Sequence, residues 1–304
     1  MLILNEKKIR KGKPIGLPYV GSKKKVAKKI VEIIKQNFGT NMPVYDLFGG
    51  GGAITAECML NGLNVHYNDL DKTITDMFVR VLSQDRDWIK TLIISREEFF
   101  TIREKAYKSV DDEFKLLVNS FGNDCKNYLY NKLNSEMKFN LAIEIIKKYD
   151  CFSGYKQTDV YKNSLVGKNG DIVHQLEWLQ QLQQLQQLQQ LERLQQLNDL
   201  QMNNIKPKTT NYDYRKFSNL KDAVIYLDPP YEGTKQGVYI GEDFESSVLY
   251  DWAFDMAKNN VILISSYEIS DPRFEVVYEF KTARSTFIGG ASSKKIEKLF
   301  MVKC

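Results

Sequence analysis

A run of apolar residues ends in a carboxylate and two prolines. In IYLDPPYEGT at 225–234, the apolar residues lead directly into Asp228, Pro229, Pro230 and Tyr231. Because proline has a fixed φ and no N–H, the chain cannot continue a strand here and must leave the sheet as a rigid turn. A carboxylate, proline carbonyls and an aromatic ring at the end of a buried strand suit a flat ligand with an amino group. The alternative is a capped strand end with a surface tyrosine.

A glycine-rich loop follows another predicted strand. PVYDLF at 43–48 predicts the strand, GGGG at 49–52 the loop and AITAECMLNG at 53–62 a helix. The loop permits close approach of a ligand and turns helix N–H groups toward it. Asp69 ends the next predicted strand, at 64–69, where a carboxylate can accept both hydroxyls of a ribose. These features predict an adenosine-containing cofactor, with NAD, FAD and S-adenosylmethionine all left open.

Positive charge is concentrated near the N-terminus. The 304-residue chain has a formal net charge of +5, and ten lysines and arginines lie between Lys7 and Lys29 with no acidic residue among them. Such a block favours a polyanionic partner, nucleic acid above all, over a solvated basic arm and helix face.

Strands and helices alternate at both ends of the chain but not between them. Further strands are predicted at 223–228, 261–266, 274–280 and 298–303, with helices at 72–82 and about 246–258. We therefore expect one discontinuous catalytic and cofactor-binding domain from 1–82 and 209–304, with 83–208 inserted into it.

A low-complexity segment lies within the insertion. Leucine recurs at every third position from Leu176 to Leu200, inside a Leu/Gln repeat at 175–201. In an α-helix this step drifts by 60°, so the leucines form no heptad seam and need an unusual packing environment or an oligomer. Repetition of this kind is more typical of a variable spacer than of a dedicated interaction rod.

Composition excludes several classes of protein. The hydrophobic fraction of 43% and the charged fraction of 27% are ordinary for a globular protein. No apolar run reaches transmembrane length, and the N-terminus does not resemble a signal peptide. Four scattered cysteines and two histidines predict neither a disulfide framework nor a metal site. We expect an intracellular protein.

Three motifs resemble those of the Dam-type DNA adenine-N6 methyltransferases, in that family's order: YVGSK at 19–23, YDLFGGGG at 45–52 and YLDPPY at 226–231. YND at 67–69 and SSKKIEKLFMV at 292–302 are also similar to family segments. The resemblance covers both ends of the chain and is weak within the insertion. It implies an α/β fold with a Rossmann-like class I methyltransferase sheet and an inserted, mainly helical target-recognition region.

The resemblance also implies a cofactor and the residues that bind it. The cofactor would be S-adenosylmethionine, with S-adenosylhomocysteine as the product and no metal. Asp69 would hold the ribose, Tyr19 and Lys23 would lie at the methionine end, and Asp213 would meet the adenine unless it is only a turn residue. The full set of implied cofactor-binding residues is Tyr19, Lys23, Asp46, Phe48, Gly49, Gly50, Asp69 and Asp213.

The proline-rich strand end would then be catalytic. Asp228 and the carbonyl of Pro229 would accept hydrogen bonds from an adenine amino group, which is a poor nucleophile because its lone pair is delocalised. Pro230 completes the rigid turn, and Tyr231 would stack on the base. A base inside a duplex cannot reach such a pocket, so the adenine must be flipped out.

Recognition of double-stranded DNA would fall to the insertion. The side chains that could read base edges or contact phosphate are Asn119, Asn123, Lys126, Asn127, Tyr128 and Asn131. Each could equally lie on a helix surface. The expected location is the cytoplasm of a bacterium or of a phage-infected cell, near the nucleoid, and a restriction endonuclease partner is compatible with the family. The alternatives are methylation of cytosine N4 or of RNA adenine, a DNA-binding relative without catalysis, and an oligomeric scaffold built on the leucine repeat.

Overall fold

The structure, a computed structural model, describes residues 1–18, 21–150, 152, 186–200, 207–232, 244–280 and 296–303. Seven strands within these ranges form one sheet. They are β1 (Val44–Asp46), β2 (Val65–Asn68), β3 (Lys208–Thr210), β4 (Val224–Leu227), β5 (Val261–Ser266), β6 (Phe274–Glu279) and β7 (Lys298–Val302).

The sheet has the strand order β3-β2-β1-β4-β5-β7-β6. Strands β1 to β5 pair in parallel, whereas β7 runs antiparallel to both of its neighbours, β5 and β6. This arrangement confirms the expected Rossmann-like methyltransferase sheet. Because parallel strands end at one edge of a sheet, the residues that follow β1, β2 and β4 meet there, and β7 begins at that same edge.

The central strands are buried because both faces of the sheet are covered. All four residues of β4 are buried, as are all four of β2. The adjoining core holds Leu47, Ile225, Leu249 and Ile262 among other residues.

Helices connect the strands and form most of the remaining described chain. They are α1 (Ala27–Phe38), α2 (Ala53–Leu60), α3 (Lys72–Ser83), α4 (Arg86–Lys90), α5 (Arg96–Arg103), α6 (Val110–Asn119), α7 (Lys132–Tyr149), α8 (Gln186–Asn198) and α9 (Ser246–Met256). Short 3-10 helices span Glu6–Lys8, Lys23–Lys25, Phe121–Asn123 and Tyr214–Phe217. None of the described helices has the length and apolar composition needed to cross a membrane.

The chain divides into two compact units. The first comprises Met1–Gly16, Gly21–Val79 and Leu200–Cys304, and it contains the whole sheet. The second comprises Leu17–Val20 and Arg80–Asp199, and its described residues are mainly helical. The assignment of target recognition to the insertion stays a prediction.

The leucine repeat, where the structure describes it, is not a spacer. Residues 186–198 form α8, and Leu188, Leu191, Leu194 and Leu197 are each at most 1% exposed. A three-residue step places successive leucines around the helix, so α8 is apolar on several sides and needs neighbours there. It packs against α4 and α6. The preference for a spacer was wrong for this part of the repeat, while 175–185 and 201 lie outside the described residues.

Candidate active site

Three predicted carboxylates come together at the carboxyl edge of the sheet. In the parallel register Asp46 at the end of β1 pairs with Tyr67 of β2 and with Tyr226 of β4. Asp69 is the residue directly after β2, and Asp228 is the residue directly after β4. The sheet therefore brings the glycine loop, the ribose-binding candidate and the proline-rich turn to adjacent positions.

The glycine loop is fixed by contacts that only glycine permits. A Cβ at Gly49 would lie 2.4 Å from the ring of Tyr67, and one at Gly52, where φ is +70°, would lie 2.2 Å from the ring of Phe78. The two rings stack with centroids 4.4 Å apart, and the Tyr67 hydroxyl donates to the carbonyl of Gly50 at 2.8 Å. Strand β2 and helix α3 thus support the loop from beneath.

Asp69 is held against this loop. Its Oδ2 accepts from the backbone N–H of Gly50 at 2.7 Å, and its Oδ1 accepts from that of Asp71 at 2.8 Å. Burial raises the pKa of Asp69 to about 6, against the lowering effect of these two bonds. Each carboxylate oxygen has two lone pairs, so capacity remains for the hydroxyls of a ribose.

Asp46 carries an unsatisfied buried oxygen. Its Oδ2 accepts from the backbone N–H of Thr55 at 3.2 Å and from the Thr55 hydroxyl at 2.7 Å. Its Oδ1 is buried, and within the described part of the chain no donor reaches it. Burial raises the pKa of Asp46 to about 7. A buried acceptor without a hydrogen-bond donor destabilises a protein core, but it is expected in a binding site where the ligand supplies the donor.

Asn68, which the sequence analysis did not single out, joins the ends of β1 and β3. Its amide donates to the carbonyls of Leu47 at 3.1 Å and Tyr212 at 2.8 Å, and its Oδ1 accepts from the Thr210 hydroxyl and the Tyr212 N–H. The sequence signals for Asn68 were its place at the end of a predicted strand and within the YND segment that resembles the family.

Asp213, the residue after Tyr212, caps the 3-10 helix at Tyr214–Phe217. Its oxygens accept from the backbone and the guanidinium of Arg215 at 2.7–2.8 Å, and the hydrogen bonds from that side chain lower the pKa of Asp213. The structure therefore shows the turn role, and contact with an adenine stays a prediction. Phe48 packs nearby against Tyr214 and Phe244, with ring centroids 5.8 and 6.1 Å away.

Asp228 lies in an ion-paired cluster at the end of β4. The ammonium of Lys23 is 2.8 Å from Asp228 Oδ1 and 3.4 Å from Glu297 Oε1, and the Tyr231 hydroxyl donates to the same Glu297 oxygen at 3.2 Å. Lys23 also lies 4.8 Å from the centroid of the Tyr231 ring. Lys23 was predicted to lie at the methionine end of a cofactor, and Glu297 belongs to the family-like segment at 292–302, for which no individual role was predicted.

Burial and charge set the protonation of this cluster. Burial raises the pKa of Asp228 to about 6, while Lys23 opposes that shift and Glu297 reinforces it. Burial alone would lower the pKa of Lys23, but the charges of Asp228 and Glu297 raise it above its ordinary value. At neutral pH the cluster thus contains an ionised Asp228 and a charged ammonium.

The two prolines and the tyrosine complete the turn. Pro229 and Pro230 are buried, and Tyr231 is half-buried with its ring edge-on to Tyr267 at 4.7 Å. Tyr19, the remaining predicted cofactor ligand, lies outside the described residues.

Two predicted DNA contacts lie inside the second unit. Asn119 is fully buried; its amide donates to the carbonyls of Leu92 and Lys115, and its Oδ1 accepts from Ile94 and Gln187. Tyr128 is 5% exposed, and its hydroxyl donates to the carbonyl of Ile94 at 3.0 Å. These two side chains support the unit's core, so their assignment to DNA does not fit the structure.

The other four predicted DNA contacts lie at or beside a turn. Lys126, Asn127 and Asn131 are exposed, and Asn123 is half-buried with its amide on the carbonyl of Leu117. Asn127 donates to Asp124 at 2.8 Å, and Asn131 caps α7. Their role in DNA binding stays a prediction.

Part of the basic N-terminal block is used within the fold. Arg10 makes a bidentate pair with Glu57, Lys29 pairs with Glu6, and Lys28 donates to a backbone carbonyl. The exposed members of the block are Lys7, Lys8, Lys11, Lys13 and Lys25.

Comparison with known proteins identifies the family of this chain. A solved structure from Haemophilus influenzae, described as a "putative methylase", matches with a TM-score of 0.33 and 10% sequence identity over 91% of this chain and 96% of that chain. No curated protein matches the chain. The family model of the D12 class N6 adenine-specific DNA methyltransferases matches residues 19–248, which is more than half of the chain. The protein therefore belongs to the D12 class of N6 adenine-specific DNA methyltransferases.

Proposed function

We propose that this methyltransferase uses S-adenosylmethionine to methylate N6 of a flipped-out adenine in one short sequence of double-stranded DNA. The observation that carries the proposal is the position of Asp228. Its carboxylate follows a buried strand directly, two buried prolines stiffen the turn after it, and the neighbouring strand β1 leads into the glycine loop.

The residues at the sheet edge fit the cofactor. Gly49 and Gly50 leave the backbone accessible, Asp69 keeps lone pairs for a ribose, and the unsatisfied Oδ1 of Asp46 suits the ammonium of a methionine moiety. When bound, S-adenosylmethionine supplies an electrophilic methyl group and leaves as S-adenosylhomocysteine. Phe48, half-buried beside the loop, offers apolar surface on the same side.

Asp228 and Pro229 would activate the target nitrogen. A carboxylate and a carbonyl that accept the two N–H bonds of the amino group draw its lone pair out of the ring, and charge-assisted acceptance is the stronger kind. Asp228 also lies where it can receive the proton that the nitrogen releases after methylation. The half-buried ring of Tyr231 would stack on the extruded base.

DNA would be held by exposed positive charge and read by the second unit. Lys7, Lys8, Lys11 and Lys25 are suited to phosphate contacts, which also offset the few kcal/mol that unstacking a base costs. Lys126, Asn127 and Asn131 are the exposed candidates for target recognition. Such an enzyme would act in the cytoplasm of a bacterium or of a phage-infected cell, where its DNA lies.

The test is methylation of unmethylated genomic DNA with S-adenosylmethionine labelled in the methyl group. Nucleoside analysis and modification-sensitive sequencing should find N6-methyladenine in one short motif. Label in N4-methylcytosine would refute adenine as the target base, and label in total RNA assayed in parallel, with none in the DNA, would refute DNA as the substrate. Binding of the cofactor without any transfer would point to a relative that has lost catalysis.

A further inference from the structure

Glu297 contacts two of the side chains beside Asp228, those of Lys23 and Tyr231. Its Oε1 is 3.4 Å from the Lys23 ammonium and 3.2 Å from the Tyr231 hydroxyl, and its side chain is only 10% exposed. A carboxylate that is nearly buried is rarely tolerated without such partners.

The antiparallel strand explains how a residue so far along the chain arrives at this edge. Glu297 directly precedes β7, whose first residue, Lys298, pairs with Ser266 at the end of β5. Its backbone carbonyl accepts from the N–H of Phe280 at 2.9 Å, which fixes the chain just after the end of β6. The position is set by the sheet itself and not by a free loop.

Lys23 needs a second carboxylate partner when a target amino group binds to Asp228. Lys23 lies 2.8 Å from Asp228 Oδ1 and so occupies an acceptor that the target amino group needs. An ammonium that leaves one buried carboxylate requires another partner, since an unpaired charge in a buried site is strongly unfavourable. Glu297 is already in place to be that partner.

We propose that Glu297 is a positioning residue for methyl transfer, holding Lys23 and the Tyr231 ring in place while Asp228 accepts hydrogen bonds from the target amino group. The inference rests on the proposed function. Glu297 acts through Lys23 and Tyr231 and does not itself touch the reacting atoms.

The pH dependence of the reaction reports on this role. Among the described residues, the charged and titratable groups around Asp228 are Lys23, Glu297, Tyr231, Asp46 and Tyr226. The negative charge of Glu297 disfavours ionisation of Asp228, so its removal lowers the pKa of Asp228. The position of the acidic limb thus reports the charge of Glu297 beside Asp228, and kcat above that limb reports how Glu297 holds Lys23 and Tyr231.

The experiment compares Glu297→Gln, Glu297→Asp and the wild-type enzyme over the pH profile of kcat/KM for DNA. Glu297→Gln keeps the shape and removes the charge, so the acidic limb should move down by about 0.5–1 pH unit. With Lys23 bound more tightly to Asp228, kcat at pH 8 should fall about tenfold while KM for DNA changes little. Glu297→Asp keeps the charge but shortens the reach, so kcat should fall with the limb in its wild-type position. Glu275→Gln, an exposed substitution on β6, is the matched control.

Two results would overturn the inference. One is a Glu297→Gln enzyme with the wild-type acidic limb and wild-type kcat per folded molecule. The other, which decides the matter if that variant does not fold, is a Glu297→Asp enzyme with undiminished kcat. Absence of DNA methylation by the wild-type enzyme would instead refute the proposed function, so the two failures are distinguishable.

Discussion

Replacing Asp228 with Asn is expected to reduce methyl transfer severely while making the fold more stable. Asn has nearly the same shape as Asp, but its carboxamide is uncharged and turns an N–H₂ group toward the site. It therefore offers the target amino group one neutral acceptor and one competing donor. Loss of a charge-assisted interaction of this kind typically reduces kcat by about 10²- to 10³-fold.

The gain in stability follows from the pKa of Asp228. Burial raises that pKa from an ordinary 3.8 to about 6, even with Lys23 alongside. A shift of about two units, at 1.36 kcal/mol per unit, means that the charged form destabilises the native state by about 3 kcal/mol at pH 8. Asn removes that charge. At about 2 °C per kcal/mol for a chain of this size, Tm should rise by about 6 °C.

The sign of the pH dependence is fixed by the direction of the shift. At pH 8, about two units above this pKa, the wild-type protein carries the full destabilising charge. As pH falls from 6 to 3.8, the native state binds a proton that the unfolded chain still lacks, so the wild-type protein gains stability. The Tm difference between Asp228→Asn and the wild type should therefore be largest near pH 8 and vanish toward pH 4.

The assay combines thermal unfolding at pH 8, 6 and 4.5 with methyl transfer to unmethylated DNA. Asp255→Asn, which removes an exposed partner of Lys258, is the control and should change the free energy of unfolding by less than about 1 kcal/mol. Retained methylation would show that Asp228 is not the activating carboxylate. A Tm difference that grows toward acid pH would refute the electrostatic argument.

Further substitutions test the loop, the buried repeat and the DNA surface. Gly52→Ala should lower Tm and weaken cofactor binding far more than Gly62→Ala. Both glycines have φ near +70°, but of the two only Gly52 lacks room for a Cβ. Equal effects of the two substitutions on Tm and on binding of labelled cofactor would contradict this. Leu191→Ala should reduce the free energy of unfolding, measured by urea titration, by about 2–5 kcal/mol. Leu133, which is 91% exposed, is the control and should tolerate alanine. A loss of less than about 1 kcal/mol at Leu191 would show that α8 is loosely packed. Lys8→Gln should flatten the dependence of log K for DNA on log salt by about 0.9 if Lys8 contacts a phosphate, and an unchanged slope would remove it from the interface.

Most of the sheet could be predicted because its strands are short segments rich in apolar and aromatic residues, as in β4, β5 and β7. Strands β1, β2 and β4 to β7 lie within or match their predicted ranges. Strand β3 has only three residues, none of them apolar, so its place was revealed by pairing with β2 and not by its own pattern. The conformation of α8 was also beyond local reasoning, since leucine at every third position fits a helix only when neighbours cover several of its sides.

In the candidate site, too, residues at the ends of predicted strands could be found from the sequence, whereas a residue brought in by a distant strand could not. Asp46, Asp69 and Asp228 could be found because each ends a recognisable strand. Glu297 lies 69 positions beyond Asp228 and meets it only through the antiparallel strand β7. Asn119 was misassigned because an asparagine in a polar, aromatic stretch gives no sign that its amide is buried.

The leucine and glutamine repeat does not by itself determine how α8 is aligned along the helices it packs against. If α8 slid by three residues, each leucine would be replaced by another leucine and Gln187 by another glutamine, so the repeated side chains fit several alignments equally well. Asn198 interrupts the pattern: it is buried, and its amide donates to the carbonyls of Val81, at 2.9 Å, and Gln84. Slippage would leave those hydrogen bonds unmade in the interior. One asparagine thus selects a single alignment of α8, as a buried asparagine does in coiled coils.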